Sequence, residues 1–214
     1  MTMKEHSWIK STDVLSIFPT FVWKVQLRAK FYEEVNKSIL TALNRMRRRS
    51  SELTPGKAWQ SNQEIHKLEE FRDFILYVND TVKTALQFLK IGYDAFEITG
   101  CWVNINAPGT SHRIHSHPNN FLSGVYYVQI QTGADTINFH DPRIHPNIIR
   151  PPVTKLTAGN TDQVVVSVRN GTLLVFPSYL QHSVDPNKSD EERISVSFNI
   201  MFSSFTENLS KPLW

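Results

Sequence analysis

The stretch that decides the fold is HSHPNNFLSGVYYV, residues 115–128, in which two histidines stand just before an apolar run. Side chains at positions i and i+2 of an extended segment point to the same side, about 6.5 Å apart along the backbone, so His115 and His117 can both reach one metal ion. A second apolar run, residues 172–177, ends shortly before His182. The sequence therefore predicts a metal site made by these three histidines, against the alternative that they are ordinary surface or hydrogen-bonded histidines.

The chain has 214 residues, a net charge of +3 and 40% hydrophobic residues, which are ordinary values for a globular protein with one sizeable core. One domain is expected over residues 1–214. Part of the positive charge lies in the run RMRRR at residues 45–49. Such a run usually forms a solvated helix face, so a nucleic-acid partner is not favoured; contact with a nucleic acid or a phosphate is the alternative.

Cysteine content and hydropathy bear on the compartment. The single cysteine, Cys101, cannot form an intramolecular disulfide. The first twenty residues hold no apolar stretch typical of a signal peptide, and no stretch has the length that a membrane span needs. We expect a cytoplasmic protein without a membrane partner, and the sequence leaves open whether it forms an oligomer.

The pattern of apolar residues divides the chain in two. Residues 1–92 are expected to form one strand over 14–27 and two amphipathic helices, one running from Phe31 into the arginine run and one over 71–92, with a loop over 50–62. Residues 93–203 read as strands and turns. The predicted strands are 96–106, 122–130, 136–140, 163–168, 172–176 and 193–202. The expected fold class is mainly β with α (α+β): a double-sheet jelly roll braced by the N-terminal helices.

The spaced motifs WVNIN, HSHPNNFLSGVYYV, FHDPR, GTLLVFPSYLQHSV and RISVSFNI together resemble the iron(II)/2-oxoglutarate-dependent oxygenases, specifically a bacterial and phage group. The resemblance extends from the segment near Phe18 to Asn199, and the C-terminal motifs carry most of its specificity. It implies a distorted double-stranded β-helix with one metal ion at the mouth between two sheets.

The resemblance also shows one departure. That superfamily usually has His-x-Asp or His-x-Glu followed by a distal histidine, but here the middle position is His117. Two arrangements remain: a three-histidine face, which we favour, or a two-histidine face with water or another group in the third place. A histidine in place of a carboxylate leaves the site one charge unit more positive, which should strengthen binding of an anionic co-substrate.

By the same resemblance, Arg193 stands where the family has the arginine that holds the distal carboxylate of 2-oxoglutarate, and its planar guanidinium suits a bidentate contact. Ser195 points to the same side of that strand and can donate a second hydrogen bond. The alternative is that Arg193 forms a surface ion pair with Glu191 or Glu192.

Three further positions belong to this expected binding site. Tyr127 corresponds to the tyrosine that prolyl hydroxylases of this family place on the distal carboxylate, whereas Tyr126 faces the other way and is expected to pack. Asn104 and Asn106 share one face of their strand and could touch the keto-acid end, although core or surface amides are equally compatible with the sequence.

The remaining polar residues near the motifs are not assigned to metal. His112 is placed on loop residues, and His140 and His145 fall near or within the FHDPR segment and the connection after it. Asp141 is the nearest carboxylate that could replace the missing one.

The function implied by the resemblance is that of a non-haem oxygenase that uses Fe(II), 2-oxoglutarate and O2, releases succinate and carbon dioxide, and hydroxylates an unidentified substrate. The loops over 107–121 and 141–162 should form the rim that selects this substrate. One alternative is a three-histidine cupin-type dioxygenase or isomerase that uses no 2-oxoglutarate. The other is a jelly roll that binds a ligand without catalysis.

Overall fold

The computed structural model describes residues 8–47, 53–143 and 152–206. Its three helices are α1 (Ala29–Arg47), α2 (Arg72–Phe88) and the short α3 (Ser203–Thr206). Its ten strands are β1 (Trp23–Gln26), β2 (Ala58–Gln60), β3 (Phe96–Asn106), β4 (His112–His115), β5 (Leu122–Gln129), β6 (Thr136–His140), β7 (Gln163–Ser167), β8 (Thr172–Pro177), β9 (His182–Val184) and β10 (Arg193–Phe202). Within these ranges, no helix is long and apolar enough to cross a membrane.

The strands form two antiparallel sheets. The larger has the order β1-β8-β5-β10-β3-β2, and the smaller has the order β4-β9-β6-β7. Except for β2 and β3, neighbouring strands of the larger sheet are not consecutive in the chain, because the chain repeatedly crosses from one sheet to the other. This arrangement confirms the predicted fold class, a double-stranded β-helix with helices on one side.

The larger sheet is buried on both faces, which explains the unbroken apolar runs in β5 and β8. Alternate side chains of a strand point to opposite faces. Tyr126 and Leu173 pack with the helices, whereas Val125 and Leu174 pack toward the smaller sheet. These two pairs lie directly opposite each other across β5 and β8. The fold therefore has three layers and two apolar cores, one on each side of the larger sheet.

The predicted helices are confirmed in position. Val35, Ile39 and Leu43 of α1 are buried at helical spacing, and two short 3₁₀ turns lead into α2. In the arginine run, Arg45 pairs with Glu70 and Arg47 pairs with Glu192, so these two arginines are used within the fold. Arg48 and Arg49 lie outside the described residues.

The predicted strand over 14–27 is wrong for most of its length, since only Trp23–Gln26 is a strand. Strand β1 pairs with β8 as far as Val175, and β8 itself ends at Pro177, which has no backbone N–H. On the N-terminal side of β1, Phe18 adopts a left-handed backbone conformation with φ 56° just before Pro19. The apolar residues between positions 14 and 18 are instead exposed. The predicted loop over 50–62 also contains the short strand β2.

Gly124 of β5 is the position where a close approach demands glycine. A Cβ built there would lie 2.6 Å from the carbonyl oxygen of Leu174 and would also clash with the Phe198 ring. That ring packs on Phe74 of α2, so it has little room to move away.

We therefore expect Gly124→Ala to lower the free energy of unfolding by about 1–3 kcal/mol through overpacking. Urea unfolding followed by circular dichroism measures the change. Gly92→Ala is the matched control, because a Cβ at Gly92 meets nothing within 4 Å. Equal stability of the two variants would contradict the close approach seen at Gly124.

Candidate metal centre

Three histidines meet at one end of the smaller sheet. His115 is the last residue of β4 and lies directly opposite His182, the first residue of β9. His117 follows two residues later, where its backbone N–H donates to the carbonyl of Ser178 at 2.9 Å. One potential ligand atom from each ring lies within 4.8 Å of those of the other two. The structure therefore brings together the three histidines that the sequence analysis grouped.

Hydrogen bonds fix the tautomers of two of these rings. Nδ1 of His115 lies 2.8 Å from the carbonyl oxygen of Arg113, and Nδ1 of His182 lies 3.0 Å from that of Leu180. A carbonyl oxygen can only accept, so Nδ1 carries the proton in both rings. Nε2 of each ring keeps a free lone pair. This pattern is typical of metal-binding histidines, whose second nitrogen is oriented by a backbone group.

Burial keeps two of the three histidines neutral. It lowers the pKa of His117 to about 4, and the nearby His115 ring acts in the same direction. Burial likewise lowers the pKa of His182 to about 4, although the bond to the carbonyl of Leu180 opposes the change. At neutral pH both rings therefore offer lone pairs rather than positive charge. Imidazole nitrogens suit Fe, Zn, Ni or Cu ions, so the donor set fits the predicted iron.

A cavity of about 250 Å³ extends from the histidines between the two sheets. All five residues predicted to contact a co-substrate line it: Asn104, Asn106, Tyr127, Arg193 and Ser195. The sheet register explains why they meet, because Ser195 of β10 lies opposite Asn104 of β3 on one side and Tyr127 of β5 on the other. Among the described residues that line it, there is no aspartate or glutamate.

Arg193 is a buried cation with no counter-charge in the part of the chain that the structure describes. Its residue surface is only 3% exposed, and its Nε has no hydrogen-bond partner among the described residues. Nor does any described carboxylate lie within ion-pair distance of it. The proposed alternative pairing is not seen, since Glu192 binds Arg47 and Glu191 accepts from Gln131. An unpaired buried charge is costly, which indicates a site built to receive an anion.

The hydroxyl of Tyr127 adds to this anion site. The Arg193 guanidinium lies 5.3 Å from the centre of the Tyr127 ring, and the proton of the buried Tyr127 hydroxyl has no acceptor among the described residues. Burial raises the pKa of Tyr127 to about 12, and the charge of Arg193 and its approach to the hydroxyl oppose this change, so the hydroxyl stays a donor. Tyr126, by contrast, donates to Asn36 Oδ1 at 2.7 Å in the helix-facing core.

Asn104 is oriented by its neighbours. Its Nδ2 donates to Ser197 Oγ at 2.9 Å, and its Oδ1 accepts from Gln60 Nε2 at 3.3 Å. Gln60 comes from β2, the short strand that the sequence analysis missed. Gln60 and Ser197 also line the cavity and were not predicted.

His112 is the main site residue that the sequence analysis placed wrongly. It was assigned to a loop, but it is the first residue of β4 and lines the cavity together with Asn106. His112 lies three residues before His115 and five before His117. The i, i+2 spacing that identified those two histidines therefore did not include it. In the structure Asn106, at the end of β3, pairs with Arg193 of β10, which places this end of β3 at the cavity. The sequence alone does not show this pairing.

The other candidates near the motifs lie elsewhere. His140 Nε2 lies 2.9 Å from Ser183 Oγ, so the ring is held outside the histidine cluster. Asp141 forms an ion pair with Arg143 at 2.6 Å and is not part of the cluster, so it does not supply the missing carboxylate. His145 lies outside the described residues.

A second cavity of about 600 Å³ lies on the other side of His117. Its walls come from the segment 116–122, the turn 177–179, and apolar residues of the N-terminal part, among them Phe21, Trp23 and Ile91. The described residues of the segment 141–162 line neither this cavity nor the first. Of the two loops predicted to form the rim, only 107–121 therefore contributes described residues to these cavities.

The lowered pKa values of His112, His117 and His182 predict how the metal-free protein responds to acid. These rings are neutral when folded down to about pH 4 but take up protons on unfolding below about pH 6.5. The unfolded state then binds more protons, so stability falls as the pH falls through this window. We expect the urea midpoint of chelator-treated protein to drop between pH 7 and pH 5.

His117→Gln should reduce that drop, because this variant has one titrating ring fewer. A urea midpoint that stays constant or rises between pH 7 and pH 5 would contradict the neutral state of the buried rings.

Residues 100–199, just under half of the chain, match the sequence model of a family described as "Putative 2OG-Fe(II) oxygenase". No curated protein sequence matches this chain. Solved structures with the same fold include a Pseudomonas putida prolyl-4-hydroxylase, with a TM-score of 0.56 and 18% identity over 86% of this chain and 93% of that one.

Two proteins of nogalamycin biosynthesis are also similar. The non-heme alpha ketoglutarate dependent carbocyclase SnoK has a TM-score of 0.64 and 14% identity, over 91% of this chain and 89% of that one. The epimerase SnoN, in complex with Fe3+, alpha ketoglutarate and nogalamycin RO, has a TM-score of 0.61 and 14% identity over the same shares, 91% and 89%. At such low identity these similarities show the fold alone. The family match over residues 100–199, together with the shared fold, confirms the resemblance of this chain to the iron(II)/2-oxoglutarate-dependent oxygenases.

Proposed function

We propose that this protein is an Fe(II)- and 2-oxoglutarate-dependent oxygenase, in which His115, His117 and His182 bind the metal. The observation that carries the proposal is the presence, in one cavity, of three clustered histidines and the buried Arg193, which pairs with no described carboxylate. When bound, Fe(II) supplies the activation of O2 that couples decarboxylation of 2-oxoglutarate to oxidation of a substrate. The site of SnoN, which holds Fe3+ and alpha ketoglutarate in a similar fold, supports the choice of ligands.

In this proposal Arg193 receives the distal carboxylate of 2-oxoglutarate. Its guanidinium offers the charged donors. Two hydroxyls that line the same cavity can complete the contact: that of Ser195 on β10 and that of Tyr127, which lies opposite Ser195 on β5. Asn104, held by Gln60 and Ser197, lines the same cavity as the co-substrate. A dicarboxylate would neutralise the unpaired cation and satisfy the buried donors, which turns an unfavourable burial into binding energy.

The absence of a carboxylate from the lining strengthens this preference for an anion. With three neutral ligands, a divalent ion and Arg193 give the cavity one positive charge more than a site with two histidines and one carboxylate would have. The dianionic co-substrate offsets most of this charge. The walls formed by the described part of the chain contain no aspartate or glutamate that would repel a carboxylate.

We further propose hydroxylation, with release of succinate and carbon dioxide, as the reaction. The structures of similar fold include a prolyl-4-hydroxylase but also a carbocyclase and an epimerase, so the oxidation outcome depends on the substrate. The substrate is unidentified. The larger cavity beside His117 is the place from which it would reach the metal, because His117 lines both cavities.

The first alternative is a three-histidine dioxygenase or isomerase that uses no 2-oxoglutarate. It accounts for the histidines but gives no role to the unpaired Arg193 and the unpaired Tyr127 hydroxyl. The second alternative, a binding module without a metal, gives no role to the oriented imidazoles. Metal analysis of the purified protein separates this second alternative from both enzymes.

Replacement of Arg193 tests the co-substrate. Anaerobically prepared protein loaded with Fe(II) should bind 2-oxoglutarate and release succinate on exposure to O2. Arg193→Met should weaken 2-oxoglutarate binding about 10- to 150-fold, because it removes charge-assisted hydrogen bonds worth about 1.5–3 kcal/mol. Titration calorimetry on the metal-loaded protein measures the affinity, and chromatography measures the succinate.

Arg45→Met is the matched control, because Arg45 is a half-exposed arginine that pairs with Glu70 away from the cavity. Arg193→Met should still fold, since it removes a buried charge that nothing in the described chain neutralises. Failure of the wild type to bind 2-oxoglutarate or to release succinate would refute the proposal. Unchanged affinity in Arg193→Met would favour the three-histidine enzyme without this co-substrate.

Replacement of the histidines tests the metal ligands. His117→Ala should lower metal affinity as much as His115→Ala and His182→Ala do. The loss should exceed the factor of about 10 to 100 that removal of a hydrogen-bond partner of a ligand causes. Metal content after metal-replete expression and affinity in competition with a chromophoric chelator give the values. His117→Asp restores the usual carboxylate and should retain metal if the shorter side chain reaches it.

His140→Ala is the control, because His140 is bound to Ser183 outside the histidine cluster. If His117→Ala kept full metal occupancy while the other two variants lost it, the site would have two histidine ligands, and His117 would serve the neighbouring cavity.

A further inference from the structure

His112 lies in the cavity with its ring held in one orientation. Its Nε2 is 2.8 Å from Nδ2 of Asn106, and Asn106 is only 3% exposed. The Asn106 backbone is fixed as well, because its carbonyl accepts from Asn187 Nδ2 at 3.1 Å. The imidazole of His112 is therefore attached to a rigid point on β3.

This contact defines which nitrogen of His112 carries the proton. An amide nitrogen can only donate, so Nε2 of the ring must accept, and the proton of the neutral ring is on Nδ1. Burial lowers the pKa of His112 to about 4, and the charge of Arg193 and the His115 ring act in the same direction. Nδ1–H has no acceptor among the described residues, so the ring has one unused donor.

The sheet register brings the His112 ring to the same end of the cavity as Arg193. Asn106 is the residue of β3 directly opposite Arg193 on β10. After burial, the charge of Arg193 is the largest influence that lowers the pKa of the His112 ring. The Asn106 amide thus holds the imidazole beside the guanidinium, and both line the same cavity of about 250 Å³.

We propose that His112 is a positioning residue for the anionic co-substrate, and that its Nδ1–H donates to the carboxylate that Arg193 holds. This inference rests on the proposed function, since the carboxylate is that of 2-oxoglutarate. His112 is not a metal ligand in this arrangement, because its Nε2 lone pair is used by Asn106. Arg193 supplies the charge, and His112 supplies a directed neutral donor that selects the orientation of the carboxylate.

Two substitutions separate this role from a purely structural one. The amide nitrogen of asparagine lies about where Nδ1 of histidine does, whereas the amide group of glutamine reaches about as far as Nε2. His112→Gln can therefore still accept from Asn106 but lacks the donor toward the carboxylate. His112→Asn keeps that donor but leaves the buried Asn106 amide without its acceptor.

We expect opposite effects in the two variants. His112→Gln should bind 2-oxoglutarate about 10- to 100-fold more weakly in the nickel-loaded protein, while the melting temperature of the metal-free protein stays at the wild-type value. His112→Asn should lower that melting temperature by about 2–8 °C but keep 2-oxoglutarate affinity within about threefold. Nickel affinity should not change in either variant. Titration calorimetry and thermal unfolding provide the three quantities.

Wild-type 2-oxoglutarate affinity in His112→Gln would overturn the inference, as would a parallel loss of affinity and stability in both variants. Loss of nickel from His112→Gln would overturn it as well, since His112 would then be a ligand. Failure of the proposed function gives a different result. In that case the wild-type protein does not bind 2-oxoglutarate, or Arg193→Met binds it as well as the wild type does.

Discussion

The structure depends on the burial of the larger sheet on both faces. Because side chains alternate along a strand, every pair of neighbouring residues in β5, β8 and β10 is divided between two cores. Tyr126 donates to Asn36 on the helix side, while Tyr127 faces the cavity. A slip of one residue in the register would exchange the faces of these two tyrosines. The Tyr127 hydroxyl would then lie in the helix-facing core, and Tyr126 would face the cavity. Packing of the helices thus fixes which residues face the site.

The same register assembles the site from separate strands. Arg193 and Ser195 come from β10, Tyr127 from β5 and Asn104 from β3, so one end of the larger sheet supplies the groups that we propose bind the co-substrate. The histidines come from or adjoin β4 and β9 of the smaller sheet. The spacing between metal and guanidinium is therefore set by how the two sheets pack, and apolar residues such as Phe139 and Phe176 maintain it.

Much of this could be predicted from the sequence, because the motifs combine chemistry with strand periodicity. The histidines, Arg193, Ser195 and Tyr127 follow the two-residue alternation of buried strands, and the resemblance supplied their expected roles. The sequence could not show that Arg193 lacks a counter-charge, since this depends on Glu192 turning to Arg47 instead. It also failed for His112 and for residues 14–22, where apolar composition alone does not say whether a partner strand is available.

The shortness of β4 and β9 has a consequence for the lifetime of the protein. Strand β4 is an edge strand of four residues, joined to the three-residue β9 at only two paired positions, so this edge is held by few backbone bonds. Binding of one ion through all three imidazoles would tie segments that are distant in the chain, as a cross-link does. Such binding favours the closed edge by an amount that grows with free metal concentration. Local fraying, and with it cleavage by proteases, would then depend on the supply of the ion.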